Sequence, residues 1–252
     1  MPLRIAFDLD GVLADMDSEL VRQAELLFGE AMTHRLLKRA MAPGETKAPT
    51  SAEPDNTAED DAALDTTPPL LKLNMTARQQ RKLWKHVESI ENFWETLKEI
   101  EPGAISRLSA MVAARRWEII FLTTRPQTAG ATAQVQTQRW LESHGFNLPS
   151  VFVVHGSRGR VAAALGIDLV IDDRPENCLD VVVDSKARAI LVWRDDAKLL
   201  PSATRRLGIG SVRSVDECLN ILSEIDSTSP PRSGVFDRVL RLLGLKEKAL
   251  EA

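Results

Sequence analysis

Two carboxylates stand where a buried strand should end. Leu3, Ile5, Ala6 and Phe7 make the first apolar run of the chain, and Asp8-Leu9-Asp10-Gly11-Val12-Leu13-Ala14-Asp15 follows it. A desolvated carboxylate costs several kcal/mol unless a cation or a donor compensates it. Two of them, two residues apart, indicate a bound metal ion or paired acid chemistry. The plainer reading is a solvated turn, but Val12 and Leu13 return at once to apolar register.

Other reactive side chains recur at the ends of later apolar runs. Thr123-Thr124-Arg125-Pro126 closes Trp117–Thr123, and Asp172-Asp173 closes Leu169–Asp172. In open α/β sheets, ligands bind beyond the carboxyl ends of the strands, where strand order reverses. If these three strands are neighbours, four carboxylates and two hydroxyls meet in one crevice. At that density carboxylates repel one another unless a hard cation lies among them. Mg²⁺ held by carboxylates, water and a phosphate oxygen suits that chemistry. Taken singly, each group has a plainer role. Asp172-Asp173 would cap a helix opening at Pro175, Thr123 is an ordinary strand residue, and Arg125 would serve as well in a surface salt bridge.

The elements that must position these groups read as an α/β fold. Five short, nearly continuous apolar runs stand out: Arg4–Asp8, Trp117–Thr123, Val151–Val154, Leu169–Asp172 and Ala189–Trp193. Strands covered on both faces of a parallel sheet have this character. Helical patterns separate them: Thr128 to His144, closed by Gly145; Gly159 to Leu165, closed by Gly166; and Pro175 to Val183, opened by proline. The expectation is a doubly wound, Rossmann-like parallel sheet of about five strands with right-handed crossovers.

The first two strands are separated by roughly a hundred residues, far more than one crossover helix needs. Helical patterns run from Ser18 to Ala40, Thr76 to Leu97 and Pro102 to Ala114. We therefore expect a core at 1–15 and 101–225, with a small helical cap at 16–100 inserted after the first strand. Within the cap, 42–70 is rich in Pro, Ala, Thr and acidic residues and has no aromatics, so it cannot offset its chain entropy by burial. Residues 226–252 read as a linker with Pro230 and Pro231, then an amphipathic helix carrying Phe236, Val239, Leu240, Leu242, Leu243 and Leu245.

Composition removes several function classes. A net charge of −4 over 252 residues argues against a general nucleic-acid or membrane binder, which would show a basic stripe. Cys178 and Cys218 are the only cysteines and make neither a disulfide framework nor a zinc site. Buried, reduced thiols in a cytoplasmic protein are expected. The N-terminal apolar run is too short for a signal peptide, and no stretch approaches the roughly 20 apolar residues of a membrane span.

The set of motifs resembles the haloacid-dehalogenase-like (HAD) phosphohydrolases. Asp8-Leu9-Asp10-Gly11-Val12 matches the first family motif, Thr123 after Ile119–Leu122 the second, and Asp172-Asp173 the fourth. The stretches Asp8–Asp15, Thr123–Pro126 and Asp172–Asn177 look most like the 5′(3′)-deoxyribonucleotidase branch. The resemblance covers roughly 1–225 and implies Mg²⁺-dependent hydrolysis of a small phosphomonoester, such as a nucleoside monophosphate, through an aspartyl-phosphate. Asp8 would be the nucleophile. Asp10 would protonate the leaving group and then activate water. Thr123 would bond a phosphoryl oxygen. The metal would be held by Asp8, by Asp10 through its main-chain carbonyl, and by Asp172 or Asp173.

One motif departs from the family pattern. The family places a lysine ahead of the fourth motif, and this chain has none between Val151 and Asp172. Arg158 and Arg160 stand in its place, with Arg160 favoured on position; arginine can bind phosphate, but it is not equivalent to lysine. Thr124 and Arg125 are candidates for substrate contact. Phe93 and Trp94, where the cap leads back to the core, are candidates for stacking on a base, although packing between cap and core explains them as well. His155 follows the third strand with no partner in sequence. Two other functions stay open. One is a HAD-like binding or regulatory module that has lost turnover, favoured by the missing lysine and the long insertion. The other is a 3′-phosphatase on nucleic-acid ends, which the acidic balance disfavours.

Overall fold

The computed structural model describes residues 3–30, 33 and 75–224. The expected insertion at 42–70 and the terminal linker and helix at 226–252 lie outside the described residues. Six parallel strands form one sheet: β1 (Arg4–Asp8), β2 (Glu118–Thr123), β3 (Ser150–Val153), β4 (Leu169–Asp172), β5 (Arg188–Val192) and β6 (Gly210–Val212), in the order 3-2-1-4-5-6. Five match the expected runs to within a residue or so. The sixth went unread because Gly-Ser-Val is too short and too polar to stand out as an apolar run.

Strand alternation divides the core into two layers. Ile5, Phe7, Ile119, Phe121, Leu169, Ile171, Ile190 and Val192 face one side. There they meet α3 (Ala104–Arg115), α4 (Ala133–Ser143) and α8 (Val215–Ser223) through Ile105, Leu108, Trp140, Leu141 and Leu219. Ala6, Leu122, Val170, Ala189 and Leu191 face the other side and meet α5 (Arg158–Leu165) and α6 (Pro175–Asp184) through Ala162, Cys178 and Val181. A short α7 (Ser202–Arg206) precedes β6.

Strand order reverses between β1 and β4, which places the crevice at their C-terminal ends. Phe7 pairs with Ile171 and Asp8 with Leu122. Asp8, Asp172 and Thr123 therefore end three adjacent strands at one level.

The long interval after β1 contains α1 (Met16–Phe28) and α2 (Ala77–Glu88). Asp15 caps α1 by accepting from the Ser18 amide. The helix stops at Gly29 (φ 86°) rather than running unbroken to Ala40, since a left-handed glycine closes the last turn. A reciprocal Thr76–Gln79 capping box opens α2. That helix also ends earlier than expected, at Glu88 with Ser89 as its C-cap; left-handed Asn92 (φ 52°) then opens a 3₁₀ turn at Phe93–Glu95. Leu20, Ala24, Leu83, Trp84 and Val87 join the two helices to the same apolar cluster that covers the sheet. The outer side of α2 carries exposed Arg78, Arg81, Lys82 and Lys85 at helical spacing, a local basic stripe that whole-chain charge conceals.

The two connections between these helices and the sheet are tied together. Asp15 N–H donates to Lys98 O (2.8 Å) and Ile100 N–H to Leu13 O (2.9 Å). Arg194, just after β5, donates to the carbonyls of Gly11 and Val12 and to Glu101. Glu101 in turn accepts the amides of Val215 and Asp216 that open α8. The turn bearing Asp10 is thus fixed from the core side.

Candidate active site

Asp8 is buried and accepts from Arg158 Nη2 at 2.7 Å. Arg158 is the first residue of α5, after the N-cap Ser157. Three contacts seat this helix end on α6: Ser157 Oγ donates to Asp184 (3.2 Å), Gly159 N–H donates to Asp180 (3.1 Å), and Gly159 itself abuts the α6 backbone. A Cβ at Gly159 would lie 2.2 Å from Asp180 O. That close approach brings Arg158 under β1. Its second terminal nitrogen, Nη1, is buried with no hydrogen-bond partner. A buried arginine with an idle donor is costly, so this one is poised for a further acceptor beside Asp8. Arg160, favoured on position, lies on the solvent side of the helix with its side chain 84% exposed, 3.9 Å from Asp184. It does not reach Asp8.

Asp10 is held from the other side. Arg125 Nη2 donates to Oδ1 at 2.7 Å, and Arg125 Nε lies 2.9 and 3.1 Å from the two carboxylate oxygens. Thr123 Oγ1 donates to Oδ2 at 3.2 Å and accepts from the Arg125 amide. The Thr123 hydroxyl therefore points to Asp10. Arg125 is neither at the surface nor at a substrate opening: its side chain is fully buried. Thr124, next to it, is half-buried.

At the end of β4 the two aspartates differ. Asp172 is fully engaged, accepting from the Arg174 amide (2.8 Å) and from Asn177 Nδ2 (3.0 and 3.1 Å). Asp173 lies against the turn after β1, where a Cβ at Gly11 would come 2.0 Å from Asp173 Oδ2. Gly11 also holds φ +89°, so both space and backbone demand glycine there. Asp173 Oδ1 is buried without a partner.

These carboxyls resist ionisation together. Burial, then the nearby Asp172, pushes Asp8 well above the ordinary carboxylate range against the opposing pull of Arg158. Burial also raises Asp172, opposed by Arg158, the Arg174 amide and Asn177. Asp173 is pushed up to about 7 by burial and by Asp172, with a smaller contribution from Asp17 in the first turn of α1. The site is electrostatically short of positive charge.

Asp8, Asp10, Thr123, Arg158, Asp172 and Asp173 thus converge. Phe93 and Trp94 do not open onto the site. Both are fully buried and pack edge to face at 5.0 Å, and Trp94 Nε1–H donates to Pro126 O. His155 lies exposed between β3 and α5. Both cysteines are buried free thiols; burial raises Cys178 well above the usual thiol range and Cys218 to about 12. Sequence reasoning missed Asn177, Gly159, Asp180 and Thr137, which act through the catalytic candidates. A surface groove of about 420 Å³ lined by Val135, Gln138, Arg139 and Leu148 includes none of these residues.

The fold is the one seen in HAD-family hydrolases. A HAD-family hydrolase from Deinococcus radiodurans, solved with bound phosphate and sodium, superposes with a TM-score of 0.50 at 15% identity, covering 91% of this chain and 99% of that one. A hydrolase from Pseudomonas syringae gives 0.48 at 20% identity, covering 89% and 99%. Phosphoserine phosphatase from T. onnurineus gives 0.45 at 11%, covering 90% and 96%. No protein-family model and no curated protein matches the chain. Among the described residues, no helix is long and apolar enough to cross a membrane.

Proposed function

We propose that the protein is a phosphomonoester hydrolase in which Asp8 attacks phosphorus and Arg158 binds the transferring group. The observation that carries this reading is the pair of orphaned buried atoms in the Asp8 site. Arg158 Nη1 is a cationic donor without an acceptor, and Asp173 Oδ1 is a carboxylate oxygen without a donor. A phosphoryl oxygen satisfies the first and a divalent cation the second.

The donor set fits Mg²⁺. Among the described residues no group of three or more His, Cys, Asp or Glu side chains is set to hold a metal ion. Mg²⁺ needs none, because it takes one or two carboxylates and keeps several waters. Asp8 and Asp173 would hold it, with the Asp10 carbonyl beside them. Asp172 is already satisfied by Asn177 and the Arg174 amide. When bound, the ion neutralises charge between nucleophile and phosphate.

In the first half-reaction an Asp8 carboxylate oxygen bonds to phosphorus as the P–O bond to the leaving group breaks. Asp10 delivers a proton to that departing oxygen. In the second, water attacks the aspartyl-phosphate, Asp10 takes its proton, and phosphate leaves with Asp8 restored. Arg158 replaces the family's lysine; its Nη2 orients Asp8 while Nη1 meets the phosphoryl group. Helices α1 and α2 act as a cap that selects the substrate.

A nucleoside monophosphate is one proposed substrate, on the resemblance of Asp172–Asn177 to deoxyribonucleotidases. Phe93 and Trp94 lend it no support, since neither presents a face to a base in this conformation. The test is phosphate release from p-nitrophenyl phosphate and a panel of sugar and nucleoside monophosphates, with Mg²⁺ and with chelator. Mg²⁺-dependent release that is lost in Asp8→Asn supports the reading. Full activity in Asp8→Asn overturns the nucleophile, and no release from any member overturns the activity.

A further inference from the structure

We infer that Arg125 is a positioning residue that aims Asp10 at the leaving group, an inference resting on the phosphatase reading above. Its guanidinium is among the most buried charges of the described chain, and every donor nitrogen is committed. Nε and Nη2 hold Asp10 in a fork, and Nη1 donates to Thr137 Oγ1 on α4 at 2.9 Å. The plane lies against two indoles, 4.9 Å from the Trp94 ring centroid and 5.7 Å from that of Trp140. Both rings are fixed in turn: Trp94 Nε1–H donates to Pro126 O and Trp140 Nε1–H to Leu97 O. The Trp94 amide donates to Gln136.

This is an expensive way to stabilise a fold. Desolvating an arginine and a carboxylate commonly costs as much as their attraction returns, and an apolar pair of similar volume is often as stable. What the arrangement does supply is a fixed direction. A guanidinium fork defines the plane of its carboxylate, and the Thr137 bond and the two rings leave the fork no other setting. Asp10 lies close to Asp8 and Asp173. The fork at the end of β2 keeps it in place at the end of β1. A lysine could supply the charge but not the plane.

The test separates leaving groups. p-Nitrophenolate departs without a proton, whereas an alkoxide needs the one Asp10 delivers. In the first turnover, Arg125→Lys should slow release from an alkyl phosphomonoester by about 100-fold, the usual effect of misplacing a catalytic group by an ångström. Release of p-nitrophenolate should fall by only about threefold. Adding Arg125→Lys to Asp10→Asn should leave the alkyl rate of Asp10→Asn unchanged, because both act through one group. Thr137→Val, nearly isosteric and remote from substrate, removes the Nη1 acceptor and should give the same selectivity at reduced size. It keeps the inference testable if Arg125→Lys folds poorly. Equal losses on both substrates in these variants, or losses that add fully to Asp10→Asn, overturn the assignment. A wild-type protein that hydrolyses neither substrate instead overturns the phosphatase reading, and this inference with it.

Discussion

Gly159 allows a sharp test of how Arg158 reaches Asp8. Replacing a helical glycine with alanine ordinarily stabilises a protein by about 1 kcal/mol, through backbone entropy. At Gly159 the sign should invert. The new Cβ would meet Asp180 O at 2.2 Å and Asp184 Cβ at 2.7 Å. The nearer obstacle is backbone, which does not swing aside as a long side chain would. Overpacking of this kind costs about 1–3 kcal/mol, and the backbone contact puts it at the upper end. Less the propensity gain, a net loss of about 2 kcal/mol is expected, or roughly 4–8 °C in Tm for a chain of this size. The same displacement lifts α5 off α6 and draws Arg158 from Asp8, so turnover should fall by about 100-fold. Gly156 is the control: it lies in the same loop with nothing within 4 Å of its would-be Cβ, so Gly156→Ala should leave both stability and rate nearly unchanged. Denaturation followed by circular dichroism, with turnover of p-nitrophenyl phosphate, measures both effects. A Gly159→Ala protein that is more stable than wild type and equally active would refute the claim that this close approach places Arg158.

Arg158 itself can be probed by charge and shape. Arg158→Met removes the cation beside Asp8 and should cut turnover by about 10²–10³-fold, the range for a lost transition-state donor; Arg158→Lys should recover part of it, and wild-type turnover in the Met variant would exclude the role. The acidic cluster should also make the metal-free protein sensitive to pH. Asp173 titrates near 7 in the native state against an ordinary value of 3.8, so its native form keeps a proton that the unfolded chain has released. That contribution to stability is fully present below pH about 4 and lost as pH rises through about 7; Asp8 and Asp172, raised as well, act in the same direction. The Tm of metal-free protein should therefore fall between about pH 5 and pH 8, Mg²⁺ should restore more of it at the higher pH, and Asp173→Asn should weaken both trends. A Tm that rises over that interval without metal would contradict the electrostatics described here.

Much of the fold was legible because strands buried on both faces leave a simple mark. Ile119–Leu122 and Leu169–Ile171 are apolar at every position, as strands of a doubly covered sheet are. Strand order was not legible: nothing in β1 says that β2 and β4 flank it, and the convergence of Asp8 with Thr123 and Asp172 had to be assumed. Helix ends were harder. Gly29 and Asn92 stop α1 and the segment after α2 by adopting left-handed backbone. The apolar periodicity on either side of them gives no warning of that. β6 failed for the opposite reason, being too short to show a pattern.

The site was legible in its acids and less so in its bases. Asp-x-Asp and Asp-Asp stand out because a buried strand has no other use for them, whereas arginines are common and their direction depends on helix phase. Arg158 and Arg160 are two residues apart, about 200° around a helix, so only one can face the sheet. The apolar positions decide which. Ala162 packs inward, and one turn before it is 158, so Arg158 shares its face while Arg160 shares that of exposed Ala164. Reading the helix from Gly159 rather than from Ser157 obscured this phase, because it treated Arg158 as part of the loop. Ser157 is an N-cap by residue type, and starting there places Arg158 in the first turn, on the buried side. The basic partner of the nucleophile was thus encoded in the cap and the alanine face together. It becomes visible once the helix is phased from its cap instead of from its first glycine.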